Sequence, residues 1–182
     1  MVGIGKIARR YLVINAFDGT LTIIGLIVGS WLSGVIDPVI VLKTGYATAL
    51  AIGVSGLWGA YMTEAAERRD DLAHLSKQTL TDLSNTDLWK AMRVATIVVA
   101  IVNGIAPFLA ACLIMLPFFF HTQLGGINIS YTVSVAIAFL NLFILGVFLG
   151  GISETSRAWS GIKMVAAGLL CAALSYLVGH GR

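Results

Sequence analysis

From Val94 to Ser153 the chain runs for 60 residues without an Asp, Glu, Lys or Arg. A soluble domain cannot use such a stretch as surface, because its solvent-facing positions are largely charged and polar. A bilayer can, because its hydrocarbon core is about 30 Å thick and one helical crossing takes about 20 apolar residues. The stretch is too long for a single crossing. The polar, Gly-rich segment HTQLGGINIS at 121–130 supplies the break, so two helices and a turn are expected here.

The remainder divides in the same way. Tyr11 to Ile36 carries one charge, Asp18, while 44–63 and 164–179 carry none. The reading is an all-α membrane protein, one transmembrane domain over 1–182. Its five transmembrane helices are expected at about 11–35, 44–66, 92–119, 128–151 and 156–178, with a short loop at about 67–90. Alternation over strand-length segments is absent, so no β-barrel competes. A hydrophobic content of 58%, a charged content of 12% and a mean hydropathy of +0.90 exclude an ordinary soluble globule, a disordered chain and a coiled coil. Lys6, Arg9 and Arg10 precede an apolar run that is long enough to span and that contains Asp18. This is not the pattern of a cleavable signal.

Cys112 and Cys171 both sit in apolar runs and read as small packing residues. The net charge of +3 is too small to suggest a nucleic-acid partner and is better read as topology. With the N-terminus inside, the inner segments hold ten Lys and Arg and the outer ones two, Lys43 and Arg182. The N-terminus and the loop between helices two and three are therefore expected to be cytoplasmic. That loop reads partly as a continuation of helix two, followed by a turn and helix N-cap at Ser84-Asn85-Thr86-Asp87.

Asp18 is the most informative residue. It stands about eight residues into the first span, where a carboxylate costs about 2.5–3.5 kcal/mol on insertion scales. It either binds a cation or proton in transport, or is a structural group, protonated or hydrogen-bonded to neighbours such as Asn15 or Thr22. Glu64 stands where helix two leaves the membrane and is a candidate for a pathway mouth. Glu64, Glu67, Asp71 and His74 are spaced three, four and three apart, which puts them on one helix face. Carboxylates with an imidazole suit Mn²⁺ or Fe²⁺, but Arg68 and Arg69 lie among them, and a charge-paired, solvated helix end accounts for the pattern as well. Met62 offers a soft thioether or plain packing. His121 and His180 have no ligand partner at a suitable spacing. Glycines or serines four apart at 25/29, 55/59 and 146/150 are candidates for close helix approach, with the first helix favoured. No nucleophile elbow, phosphate-binding glycine loop, HExxH or CxxC is present. The chain is therefore not expected to be an enzyme, and transport would use an ion gradient or run downhill.

FDGTLTIIGLIVG at 17–29 resembles the first-helix signature of the vacuolar iron transporter family. AYMTEAAERRDDL at 60–72, LIMLPFF at 113–119 and GIKMVAAGLLCAALSYLVGH at 161–180 resemble that family's second-helix end, third-helix end and last helix, in order. The resemblance implies export of Fe²⁺ or Mn²⁺ from the cytosol in exchange for protons, by a homodimer whose ion path lies between the subunits. Iron or manganese enters as the transported ion, and no permanently bound cofactor is implied. On this resemblance Asp18 and Glu64 match path carboxylates, with Asn15 and Met62 beside them. Asp18, Glu64, Glu67, Asp71 and His74 are the candidate metal ligands. Ala60 stands where the family has a path methionine, and the Glu-rich cytoplasmic domain of many members is missing. The rival readings are a non-transporting scaffold or regulatory relative, and an iron oxidase using Glu67, Asp71 and His74. The expected location is an integral, multi-pass position, in a prokaryotic inner membrane in preference to an organelle membrane.

Overall fold

The computed structural model describes residues 4–80, 82, 86–153 and 155–180. Ser84, Asn85 and Arg182 lie outside the described residues, as do the side chains of Lys6 and His180. The described residues form five helices: α1 (Ile4–Leu32), α2 (Pro38–Thr79), α3 (Asp87–Phe119), α4 (Ile127–Ile152) and α5 (Arg157–His180). All five are long and apolar enough to cross a membrane. The protein is an integral, multi-pass membrane protein.

The largest departure from the sequence reading is at α2. The expected loop at 67–90, read in part as a continuation of helix two, is helical as far as Thr79 and again from Asp87. α2 has 42 residues, about 63 Å at 1.5 Å per residue, twice the thickness of the hydrocarbon core. Its start also comes earlier than position 44. Asp37 caps it by accepting from the Val39 N–H at 2.8 Å, and Pro38 occupies the first helical turn. At the other end Leu80 adopts a left-handed conformation (φ 52°) that returns its N–H to the Ser76 carbonyl. α3 is capped by Thr86, whose hydroxyl accepts from the Trp89 N–H. The break in the long uncharged stretch falls at 120–126. Gly125 and Gly126 take φ values of +94° and +118° there, a region open to glycine at little cost.

α3 is the central helix, packed by α2, α1 and α4, and α5 lies against α4 and α1. The core joins Ile23, Ile24 and Ile27 of α1 to Ala111, Ile114, Met115 and Phe118 of α3 and to Tyr131, Ala138 and Leu142 of α4. Tyr131 is fully buried. It stacks on Trp31 at 5.7 Å, meets Phe118 edge-on at 5.0 Å, and donates its hydroxyl to the Val35 carbonyl at 2.9 Å. Many large apolar side chains, Leu113, Phe148 and Leu170 among them, point outward. That surface suits lipid and not water.

Within the single chain, of the small-residue pairs four apart, the one in α4 brings helices close and the one in α1 does not. A Cβ on Gly146 would stand 2.5 Å from the Ser160 carbonyl oxygen, and one on Gly150 would stand 2.9 Å from Arg157 Cα. The 146/150 pair is thus the close contact of α4 with α5. Gly53, Gly56 and Gly104 do the same between α2 and α3. A Cβ on Gly29 or Gly59 would meet nothing within 4 Å.

Candidate transport site

The site grows from one stripe of α1. Tyr11, Asn15, Asp18, Thr22, Gly25 and Gly29 recur at offsets of three and four, which aligns them on one helix face. The half of the stripe toward the N-terminus is covered by other helices. Tyr11 lies within hydrogen-bonding reach of Glu64. The Asn15 amide donates to the Tyr11 carbonyl at 2.7 Å and to the side-chain oxygen of Asn103 on α3. Asn103 in turn donates to the Gly56 carbonyl of α2 at 2.7 Å. Three helices are therefore tied together by side-chain amides inside the apolar region.

The other half of the stripe is open. Asp18 is exposed on the single chain. It stands about 15 Å along the helix from Ala8, where the apolar span begins, close to mid-membrane. Among the described residues its carboxylate has no hydrogen-bond or ion-pair partner. Thr22 does not bond to the carboxylate. Its hydroxyl is turned back to the Asp18 backbone carbonyl at 2.8 Å. Asn15 is engaged by Asn103 and the Tyr11 carbonyl. The expected hydrogen bond from Asn15 or Thr22 to the Asp18 carboxylate is thus absent among the described residues. Beyond Thr22 the stripe opens into a groove of about 930 Å³ between α1 and α5, with Gly25 and Gly29 on one wall and Leu170, Leu174 and Val178 on the other.

Glu64 is buried, 6% exposed, although it lies near the membrane edge. Arg68, one turn on, donates to it at 2.8 Å. The buried carboxylate is thereby charge-paired. Glu67, Asp71 and His74 are exposed on the part of α2 that continues beyond the apolar region. His74 lies 3.7 Å from Asp70, which is itself exposed. Among the described residues no three His, Cys, Asp or Glu side chains gather closely enough to hold a metal within one chain. Met62 is 55% exposed and Ala60 is buried. Sequence reasoning missed Asn103 and Tyr11. Asn103 had a usable signal, as an amide alone in an uncharged helix, where polar groups seek partners across helices.

A model of the VIT family matches residues 73–180, which is more than half of the chain. The chain belongs to the VIT family. An uncharacterized protein of the archaeon Methanocaldococcus jannaschii is 31% identical over 177 residues, covering 96% of this chain and 90% of its own. No solved structure matches. VIT membership points to membrane metal transport and away from catalysis. The family match begins inside α2, so Asp18 and Glu64 lie before it. The likeness to the archaeal protein runs over nearly the whole chain.

Proposed function

We propose that this VIT-family protein carries Fe²⁺ or Mn²⁺ out of the cytosol in exchange for protons, as a homodimer with its N-terminus on the cytoplasmic side and its ion path between the subunits. The observation that carries this reading is the unpartnered, exposed carboxylate of Asp18 in mid-span. A carboxylate facing lipid costs about 2.5–3.5 kcal/mol on insertion scales. A second copy laid on the α1 face removes that exposure and also covers the α1–α5 groove.

Two Asp18 carboxylates facing each other across a dimer axis repel when both are ionised. A divalent cation relieves the repulsion, and so does a proton on one of them. Competition between metal and proton for one carboxylate pair couples the two fluxes. Glu64 would receive metal at the path mouth once it exchanges Arg68 for the cation, with Tyr11 and Asn15 continuing the polar stripe toward Asp18. Glu67, Asp71 and His74 would act as an exposed acidic approach on α2. The archaeal relative supports placing the protein in a prokaryotic cell membrane.

A second reading, a non-transporting scaffold of the same family, is favoured by one observation. Ala60 is buried and carries no ligand atom, and Met62 is largely exposed. Purified protein in liposomes with an internal metal indicator separates the two. Metal entry that follows a pH gradient and disappears in Asp18→Ala supports transport. Negligible flux in both proteins, each shown to be folded and dimeric, supports the scaffold.

A further inference from the structure

Where α2 leaves the apolar region and α3 enters it, the two helices enclose a cavity of about 230 Å³, lined by Arg68, Arg69, Arg93, Tyr61, Trp89 and Thr96 among others. Three guanidinium groups meet there. One is largely spent, because Arg68 already pairs with Glu64 at 2.8 Å, although its Nε is buried and has no partner of its own. Arg69 and Arg93 make no ion pair among the described residues. The nearby charges do not supply one. Lys90 takes Asp87 at 3.1 Å, and Asp70 lies by His74 at 3.7 Å. Two of the three guanidinium groups that line the cavity are therefore without an ion-pair partner among the described residues.

Its shape and chemistry are specific. The Arg93 guanidinium sits 5.4 Å over the Trp89 ring. Stacked in this way, an arginine keeps the edge of its planar fork free for two parallel hydrogen bonds to a phosphate or carboxylate. Tyr61 and Trp89 stand at the level where the first charges appear, the depth that amphipathic rings take among lipid headgroups. On the membrane side of Arg93, Val94 and Ile97 are exposed and apolar. They offer a surface for an acyl chain.

We propose that this cavity is a binding site for the phosphate of an anionic phospholipid at the membrane surface, held by Arg69 and Arg93 with Arg68 behind them. The site meets the proposed path only through Arg68, and its test uses neither metal nor flux, so it stands or falls apart from the transport reading. Basic pockets between membrane helices commonly take acidic headgroups in this way, and a bound lipid stabilises the fold by mass action.

The test is thermal unfolding of the full chain in detergent, titrated with dihexanoyl-phosphatidylglycerol, dihexanoyl-phosphatidylcholine or inorganic phosphate. The anionic lipid should raise the midpoint saturably, and the zwitterionic lipid should not. Apparent affinity should fall about tenfold in Arg69→Gln and in Arg93→Gln, the loss of one charge-assisted contact each. Lys163→Gln should bind as wild type does, because Lys163, 5.8 Å over the Trp159 ring on α5, does not line the cavity. A shift with inorganic phosphate equal to that with the lipid would overturn the lipid assignment in favour of a free-phosphate site. No saturable shift, or one that the double variant Arg69→Gln/Arg93→Gln retains, would overturn the site altogether.

Discussion

Asn15 of α1 donates a hydrogen bond to the side-chain oxygen of Asn103 of α3, and Asn103 passes the link on to the Gly56 carbonyl of α2. In hydrocarbon a polar group has no water to fall back on, so such links help fix the mutual position of the helices they join. Here they set α1 in the bundle one turn from Asp18. The covered half of its stripe lies inward and the acidic half is left outward.

The pair should be energetically coupled. In a double-mutant cycle of Asn15→Ala and Asn103→Ala, each change alone should destabilise the detergent-solubilised protein. The coupling energy should be about 1 kcal/mol, typical of polar links between membrane helices. Strict additivity in reversible unfolding would show that the two amides act separately.

Asp18→Asn keeps the size and most of the hydrogen bonding of the side chain and removes its charge. The variant should fold and dimerise as wild type does. In liposomes its metal flux should no longer respond to a pH gradient, because there is no proton to exchange. Full gradient-driven flux in this variant would move the coupling step away from Asp18.

Glycines four apart should not all behave alike. Gly146→Ala places a methyl 2.5 Å from the Ser160 carbonyl oxygen and 2.6 Å from Gly161 Cα, which forces α4 and α5 apart. The expected loss is about 1–3 kcal/mol. Gly59→Ala meets nothing within 4 Å and should be neutral, or stabilising by up to about 1 kcal/mol, since alanine is the better helix former. Thermal midpoints of the two variants in the same detergent make the comparison.

Oligomeric state tests the groove between α1 and α5. Gly29→Trp projects a large ring into it from a position where an added Cβ meets nothing within 4 Å. If a second copy lies there, the variant should run as a folded monomer in size-exclusion chromatography with light scattering. Gly59→Trp, on an equally open face of α2, should remain dimeric. A dimer in both would place the subunit interface elsewhere.

Much of this protein was legible in the order of its residues. The absence of charge over long runs fixes five spans, because the cost of a bare charge in hydrocarbon exceeds what most local interactions return. The cap at Thr86 and the turn at Gly125-Gly126 could be read, since caps and turns are local chemistry. Asp18 stood out for the same reason as the spans did. The continuation of α2 was only partly legible, because a charged, amphiphilic helix outside the membrane looks like a loop when apolarity is the signal.

What the sequence could not decide is which faces meet. It aligned Glu64, Glu67, Asp71 and His74 on one side of a helix. The tertiary structure buries Glu64 against Arg68 and leaves the other three exposed. It offered three pairs of small residues as contacts, and packing used 146/150 while leaving Gly29 and Gly59 open. It could mark Asn103 as a polar group in an apolar helix but could not name its partner, which is 88 positions away. Hydropathy and capping act within a few residues and so are written locally. The rotation of each helix depends on side-chain volumes and polar partners that other helices supply. Asn15 and Asp18 share one face of α1, and only the packing of the other helices decided that Asn15 meets Asn103 while Asp18, one turn along, stays exposed.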